Sequence, residues 1–128
     1  MRIVMRIVFD TGALIAIERR QKTAVDVLRV AADDGDVLVA PAPAVAEWWR
    51  AGKREKERAK ILRLFRFETP TLHTAKLAGI AMGIIGAGLG DALVMAGASI
   101  QGDVVYTSDF NDFLELNAIF PSVRLERI

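Results

Sequence analysis

The chain reads as an α/β protein with a mainly parallel sheet covered by helices on both faces, and three observations predict this. Short apolar runs rich in β-branched residues recur at Ile3 to Phe9, Val37 to Val39, Val104 to Tyr106 and Val123 to Leu125. Helical patterns separate each run from the next, and strands that alternate with helices favour parallel pairing. The 128 residues match the size of one core, and 52% apolar against 26% charged residues is enough to fill it. A single domain over 1–128 is expected.

The elements follow in order. Ile3 to Phe9 ends at Asp10-Thr11-Gly12, a strand turning into a short helix through Ile17. A helix from about Thr23 to Ala32 closes in the polar run Asp33-Asp34-Gly35-Asp36. Val37 to Val39 is a short buried strand. Pro41 and Pro43 then open a helix carrying Glu47, Trp48 and Trp49, since proline is tolerated in a first turn. A basic helix follows, with Ile61, Leu62, Leu64 and Phe65 as its apolar side. Pro70 interrupts the chain before two buried helices, at about His73 to Ile85 and Asp91 to Ile100. Val104 to Tyr106 is a strand, Asp109 to Leu116 a helix, and Val123 to Leu125 the last strand. The only repeat is MRIV, at 1 to 4 and again at 5 to 8.

Several classes are disfavoured. The apolar stretch from Leu77 to Gly102 is cut by Asp91, and its charge-free first part holds 14 residues, against the roughly 20 that a membrane span needs. Gly79 and Gly83 in that stretch have the spacing of close helix packing. With no cysteine, disulfides and thiolate metal sites are excluded, which fits a reducing cytoplasm. Arg6 and Asp10 interrupt the apolar N-terminal run, so no export is read there.

Charge is unevenly spread. From Arg50 to Arg66 stand eight basic residues against Glu55 and Glu57, a local charge of +6, which leaves −5 on the remainder of a chain of net +1. A basic helix attracts a phosphate backbone without regard to sequence, and Arg50, Lys53 and Arg54 are the candidate contacts. For such a run taken alone, a solvated helix face is the commoner explanation.

Four carboxylates carry the chemical signal. Asp10, Glu47, Asp91 and Asp109 each stand at the start or in the first turns of a helical segment with apolar flanks. Ligands of parallel sheets sit outside the carboxyl ends of the strands. Asp10 and Asp109 follow strands directly, and Glu47 lies in the helix after a strand, so three acids fall on that edge. Asp91 joins them if its helix points its amino end the same way. Each aspartate alone is more often a helix cap, and Asp109 with Asp112 resembles a capping box. Together, buried carboxylates repel one another unless a cation sits among them. Hard oxygen donors without nitrogen or sulfur favour Mg²⁺ or Mn²⁺. Other chemistries lack their groups: His73 is remote from the acids, cysteine is absent, and Ser99, Ser108 and Ser122 lie in no nucleophile elbow. Metal-assisted hydrolysis is the expected reaction.

The motifs FDTGALIA at 9 to 16, AEWWR at 46 to 50, GDALVMA at 90 to 96 and YTSDFNDF at 106 to 113, in this order, resemble the PIN-domain ribonucleases, specifically toxins of the VapC type. The resemblance spans nearly the whole chain. It implies a three-layer α/β/α sandwich with a parallel central sheet, and a magnesium- or manganese-dependent endoribonuclease whose acidic quartet is Asp10, Glu47, Asp91 and Asp109. Thr107 matches the hydroxyl of the family's T-x-D, Thr11 the hydroxyl after the first aspartate, and Asp112 a secondary acid. Paired tryptophans after Glu47 depart from the aliphatic residues commoner there. The resemblance also implies RNA as substrate, a homodimer, and a small antitoxin whose tail fills a groove. That groove is expected between the helix ending at Arg50 and the basic helix, where Trp48, Trp49, Ile61, Leu62 and Phe65 offer apolar surface. Two other classes stay open at this point: a catalytically silent PIN-like binding module whose acids are caps, and a phosphoryl-transfer domain of receiver type. The latter lacks its paired acids at the first strand and its lysine at the last.

Overall fold

The computed structural model describes residues 3–49 and 54–128. Five strands form one sheet: β1 (Arg6–Phe9), β2 (Val37–Pro41), β3 (Arg66–Glu68), β4 (Val104–Thr107) and β5 (Arg124–Arg127). Their order is β3-β2-β1-β4-β5, and all four pairings are parallel. The helices are α1 (Thr11–Glu18), α2 (Lys22–Asp34), α3 (Ala42–Trp49), α4 (Glu55–Leu62), α5 (Leu72–Ile85), α6 (Leu89–Gln101) and α7 (Phe110–Ile119). No helix among the described residues is long and apolar enough to cross a membrane.

The alternation of side chains along β1 builds the two faces. Ile7, beside Val104 of β4, looks toward Val27 and Ala31 of α2. Val8 turns the other way, toward Leu93, Val94 and Ala98 of α6. Phe9, Leu14, Val39, Met95, Val105 and Phe113 are fully buried between these layers. Glycine ends α2, α5 and α6 in the left-handed conformation, at Gly35, Gly86 and Gly102, where a residue without Cβ fits at little cost.

Four expectations are corrected. β3 was not expected, because its Arg-Phe-Glu carries two charges and Phe67 is exposed; short, charged strands are what protects a sheet edge. Pro41 ends β2 rather than opening α3. α5 is not buried all round: Leu72, Ile80 and Ile84 are exposed. Gly79 and Gly83 do not serve packing within the described residues, since a Cβ on either would meet nothing within 4 Å.

Candidate acidic site

β1 and β4 are neighbours, so the residues that follow them leave the sheet side by side. Asp10 follows β1 as the N-cap of α1, and its Oδ1 accepts the Ala13 N–H at 2.7 Å. Thr107 ends β4, fully buried. Its hydroxyl accepts the Asp109 N–H at 2.9 Å and donates its own proton to Asp10. One threonine thereby ties the first acid to the backbone of the last. Cap and site readings of Asp10 are compatible, because capping uses one oxygen and leaves the rest of the carboxylate to other partners.

The remaining acids arrive from two helices. Gly88 starts α6, and Asp91 lies in its first turn. Glu47 comes from α3, where Thr11 donates to its Oε2 at 3.3 Å. A Cβ built on Gly90 would stand 2.1 Å from Glu47 Oε1. Glycine there lets Glu47 lie against the start of α6. Gly12 does the same for Ser108, whose Oγ would be 2.0 Å from a Cβ on Gly12.

Electrostatics show that the acids share one place. Asp10 is 4% exposed, and burial pushes its carboxyl up to about 6, with Asp109 and Asp91 adding to the rise. Asp91 is also raised, by burial first and then by Glu47, Asp109 and Asp112. Among the described residues every charge that acts on Asp91 is negative, so no described cation offsets this field. Glu47, Asp109 and Asp112 are exposed at the mouth. Among the described residues no three His, Cys, Asp or Glu side chains are gathered closely enough to hold an ion as they stand. The acids therefore share a field without forming a finished chelate. Their oxygen donors, the negative field and the exposure of Glu47 and Asp109 nonetheless fit a hard divalent cation.

Of the candidate phosphate contacts, Arg50 and Lys53 lie outside the described residues, and Arg54 is half exposed. The apolar groove surface expected beside α3 is corrected at Trp48 and Ile61, while Trp49, Leu62 and Phe65 are half-buried. Trp48 is 3% exposed and Ile61 is buried, so both are core. Trp48 Nε1 donates to Glu18 at 2.7 Å, and Arg58 Nε donates to the same oxygen at 2.8 Å. This buried triad was missed. Its signal was Glu18 itself, an acid ending the apolar run of α1. A second buried pair was also missed: Asp103 Oδ1 accepts from Arg6 Nε at 2.8 Å, and Arg6 also binds Glu68.

No protein-family model matches the chain, and no curated protein is similar enough in sequence to match. Solved structures do resemble it. VapBC2 from Rickettsia felis bound to a DNA fragment from its promoter aligns with a TM-score of 0.76 at 17% identity, covering 97% of this chain and 99% of that one. A toxin–antitoxin complex from Klebsiella pneumoniae aligns with a TM-score of 0.74 at 18% identity, covering 91% and 94%. VapBC-1 from nontypeable Haemophilus influenzae aligns with a TM-score of 0.73 at 15% identity, covering 96% and 98%. The chain thus has the PIN-like α/β/α fold, with its all-parallel sheet, that these toxin–antitoxin structures contain.

Proposed function

We propose that this chain is a divalent-metal-dependent endoribonuclease and the toxin of a VapBC-type toxin–antitoxin pair. The observation that carries this reading is the gathering of Asp10, Glu47, Asp91 and Asp109 in one negative field that no cation among the described residues offsets. Asp10 and Asp91 would hold Mg²⁺ or Mn²⁺ directly, Asp109 directly or through water, and Glu47 a second ion or its water. When bound, the ion supplies an acidified water for attack on phosphorus and neutralises the departing oxygen. Thr107 links the Asp10 carboxylate to the Asp109 backbone N–H, and Thr11 holds Glu47. Asp112 adds negative charge at the mouth as a secondary acid.

Partners follow from the same reading. A small antitoxin is the expected protein partner, consistent with the complexes that share the fold. The homodimer would use α5: Ile80 and Ile84 are exposed beside Gly79 and Gly83, and two such helices can approach until their backbones touch. Replacing Ile80 with Asp should then convert a dimer to a monomer in analytical ultracentrifugation.

The test of the activity is cleavage of a labelled RNA with added Mn²⁺ or Mg²⁺. Cleavage that stops with EDTA and is lost in Asp10→Asn supports the proposal. An Asp10→Asn protein that cuts at the wild-type rate refutes it. No cleavage by the wild-type chain on any RNA would leave a silent binding module.

A further inference from the structure

A cavity of about 400 Å³ opens beside the acids and joins two opposite charges. Thr11 and Glu47 line it from the acidic cluster, Glu18 and the C-cap Arg19 from the end of α1, and the N-cap Arg54 and Arg58 from the start of α4. The three guanidiniums are not equivalent. Arg58, 8% exposed, is committed to Glu18 and lies over the Trp48 ring at 5.9 Å from its centroid. Arg54 reaches Glu18 only at 3.5 Å, and its side chain stays 52% exposed. Arg19 is exposed and has no ion pair among the described residues.

Glu18 accepts from Trp48 and Arg58 and also pairs with Arg54 at 3.5 Å, so its single charge stands against three guanidiniums. The cavity thus has a surplus of positive charge a few side chains from a surplus of negative charge. One more donor is left over: Arg58 Nη1 is buried and has no hydrogen-bond partner among the described residues. Buried donors of this kind are rare and call for an acceptor. Planar guanidiniums match phosphate oxygens with two parallel bonds, which a solvated lysine face does not offer. A single exposed arginine would carry no argument. Arg19 without an ion pair among the described residues and Arg54 half exposed and only loosely paired with Glu18, in one cavity with a third arginine fixed in its wall and a carboxylate cluster adjoining, do.

We propose that this cavity is a phosphate subsite for an RNA strand, in which Arg19 and Arg54 clasp a phosphodiester next to the one at the acids. The Glu18–Arg58–Trp48 triad holds the wall that carries Arg54. The assignment of the scissile phosphate to the acids rests on the ribonuclease reading above. Binding at the cavity does not. The cationic end would draw the strand in, and the acidic end would stay repulsive to it until an ion is present, so one cavity couples strand binding to metal loading.

The test is binding of a fluorescent single-stranded RNA by anisotropy in EDTA across a salt series. Removing one arginine that pairs with a phosphate should lower the slope of log K against log salt by about 0.7. Arg19→Ala with Arg54→Ala together should therefore lower it by about 1.4 and weaken binding at low salt. Arg63→Ala, on an exposed basic residue outside the cavity, is the control and should leave both unchanged. Arg58→Lys keeps the charge but not the fork, and should weaken binding less than the double variant. In metal-supplemented cleavage, the double variant should raise KM more than it lowers kcat.

Wild-type affinity and slope in the double variant would overturn the proposal. So would an equal loss in Arg63→Ala, or no measurable RNA binding by the wild-type chain at low salt. If RNA binding is unchanged while a purified acidic protein partner is released, the cavity belongs to that partner and the proposal fails. If the double variant weakens binding but the wild-type chain cuts no RNA with any ion, the ribonuclease reading fails and the phosphate subsite stands.

Discussion

Helix α1 carries a buried carboxylate at each end, and their surroundings are opposite. At its C-terminal end Glu18 accepts from Trp48 and Arg58, and those partners hold its carboxyl below the usual glutamate range. At its N-terminal end Asp10 has, among the described residues, only neutral donors, Thr107 and the Ala13 amide, and further acids stand around it. Burial wins there, and the carboxyl rises to about 6. Eight residues of one helix thus separate a charge the protein has compensated from one it has not. Glu18 belongs to the architecture, and Asp10 is the charge that the proposed cation would offset.

The sharpest way to break this contrast is to neutralise each end in turn. Asp10→Asn removes charge with little change of shape, so cleavage should fall by more than the roughly 10- to 100-fold that loss of a ligand's supporting partner causes. Its melting temperature without metal should hold or rise, because a repulsive charge is gone. Glu18→Gln should do the reverse. Activity is a secondary loss there, while stability should drop by about 3 kcal/mol, as when one member of a buried ion pair is removed. Chemical denaturation of both variants checks the pair.

How much of this was legible in the sequence follows the same line. Asp10, Asp91 and Asp109 were readable because each stands where a strand or glycine break meets a helix, and the parallel order brings such junctions to one edge. Glu18 was not, because its meaning depends on Arg58, 40 positions away, and on Trp48, which was expected to offer apolar surface in a groove. β3 was hidden for a related reason: its pairing with β2 is set by backbone, and its side chains give no apolar pattern. The open glycine face of α5 had the spacing of a packed helix, and spacing alone does not say whether the neighbour is in the same chain.

pH separates the two ends by sign. A carboxyl raised in the folded state favours folding below its unfolded value and loses that contribution as pH rises through about 6, so EDTA-treated wild-type protein should lose stability between roughly pH 4 and 6. Asp10→Asn should remove part of that loss, and the part due to Asp103, also raised to about 6 by burial, should remain. Glu18, lowered by its partners, contributes in the opposite sense, and its stabilisation disappears only as pH falls below the ordinary glutamate range. Thermal melts across pH in both proteins give the comparison.

A smaller effect is expected at Gly90→Ala. The added Cβ would meet Glu47 Oε1 at 2.1 Å, and the exposed glutamate would swing aside. Cleavage should weaken while the melting temperature stays near wild type, because only a flexible side-chain end has to move. An unfolded Gly90→Ala protein would show instead that α3 and α6 need that glycine for packing.

The most direct measurement is a manganese titration followed by the paramagnetic signal of the free ion, in wild type, Asp10→Asn and Asp91→Asn. Binding should be clear in the wild-type chain and at least about tenfold weaker in each variant, since each loses a charged oxygen ligand. Equal binding in all three proteins, or none in the wild type, would contradict a shared metal centre at these acids.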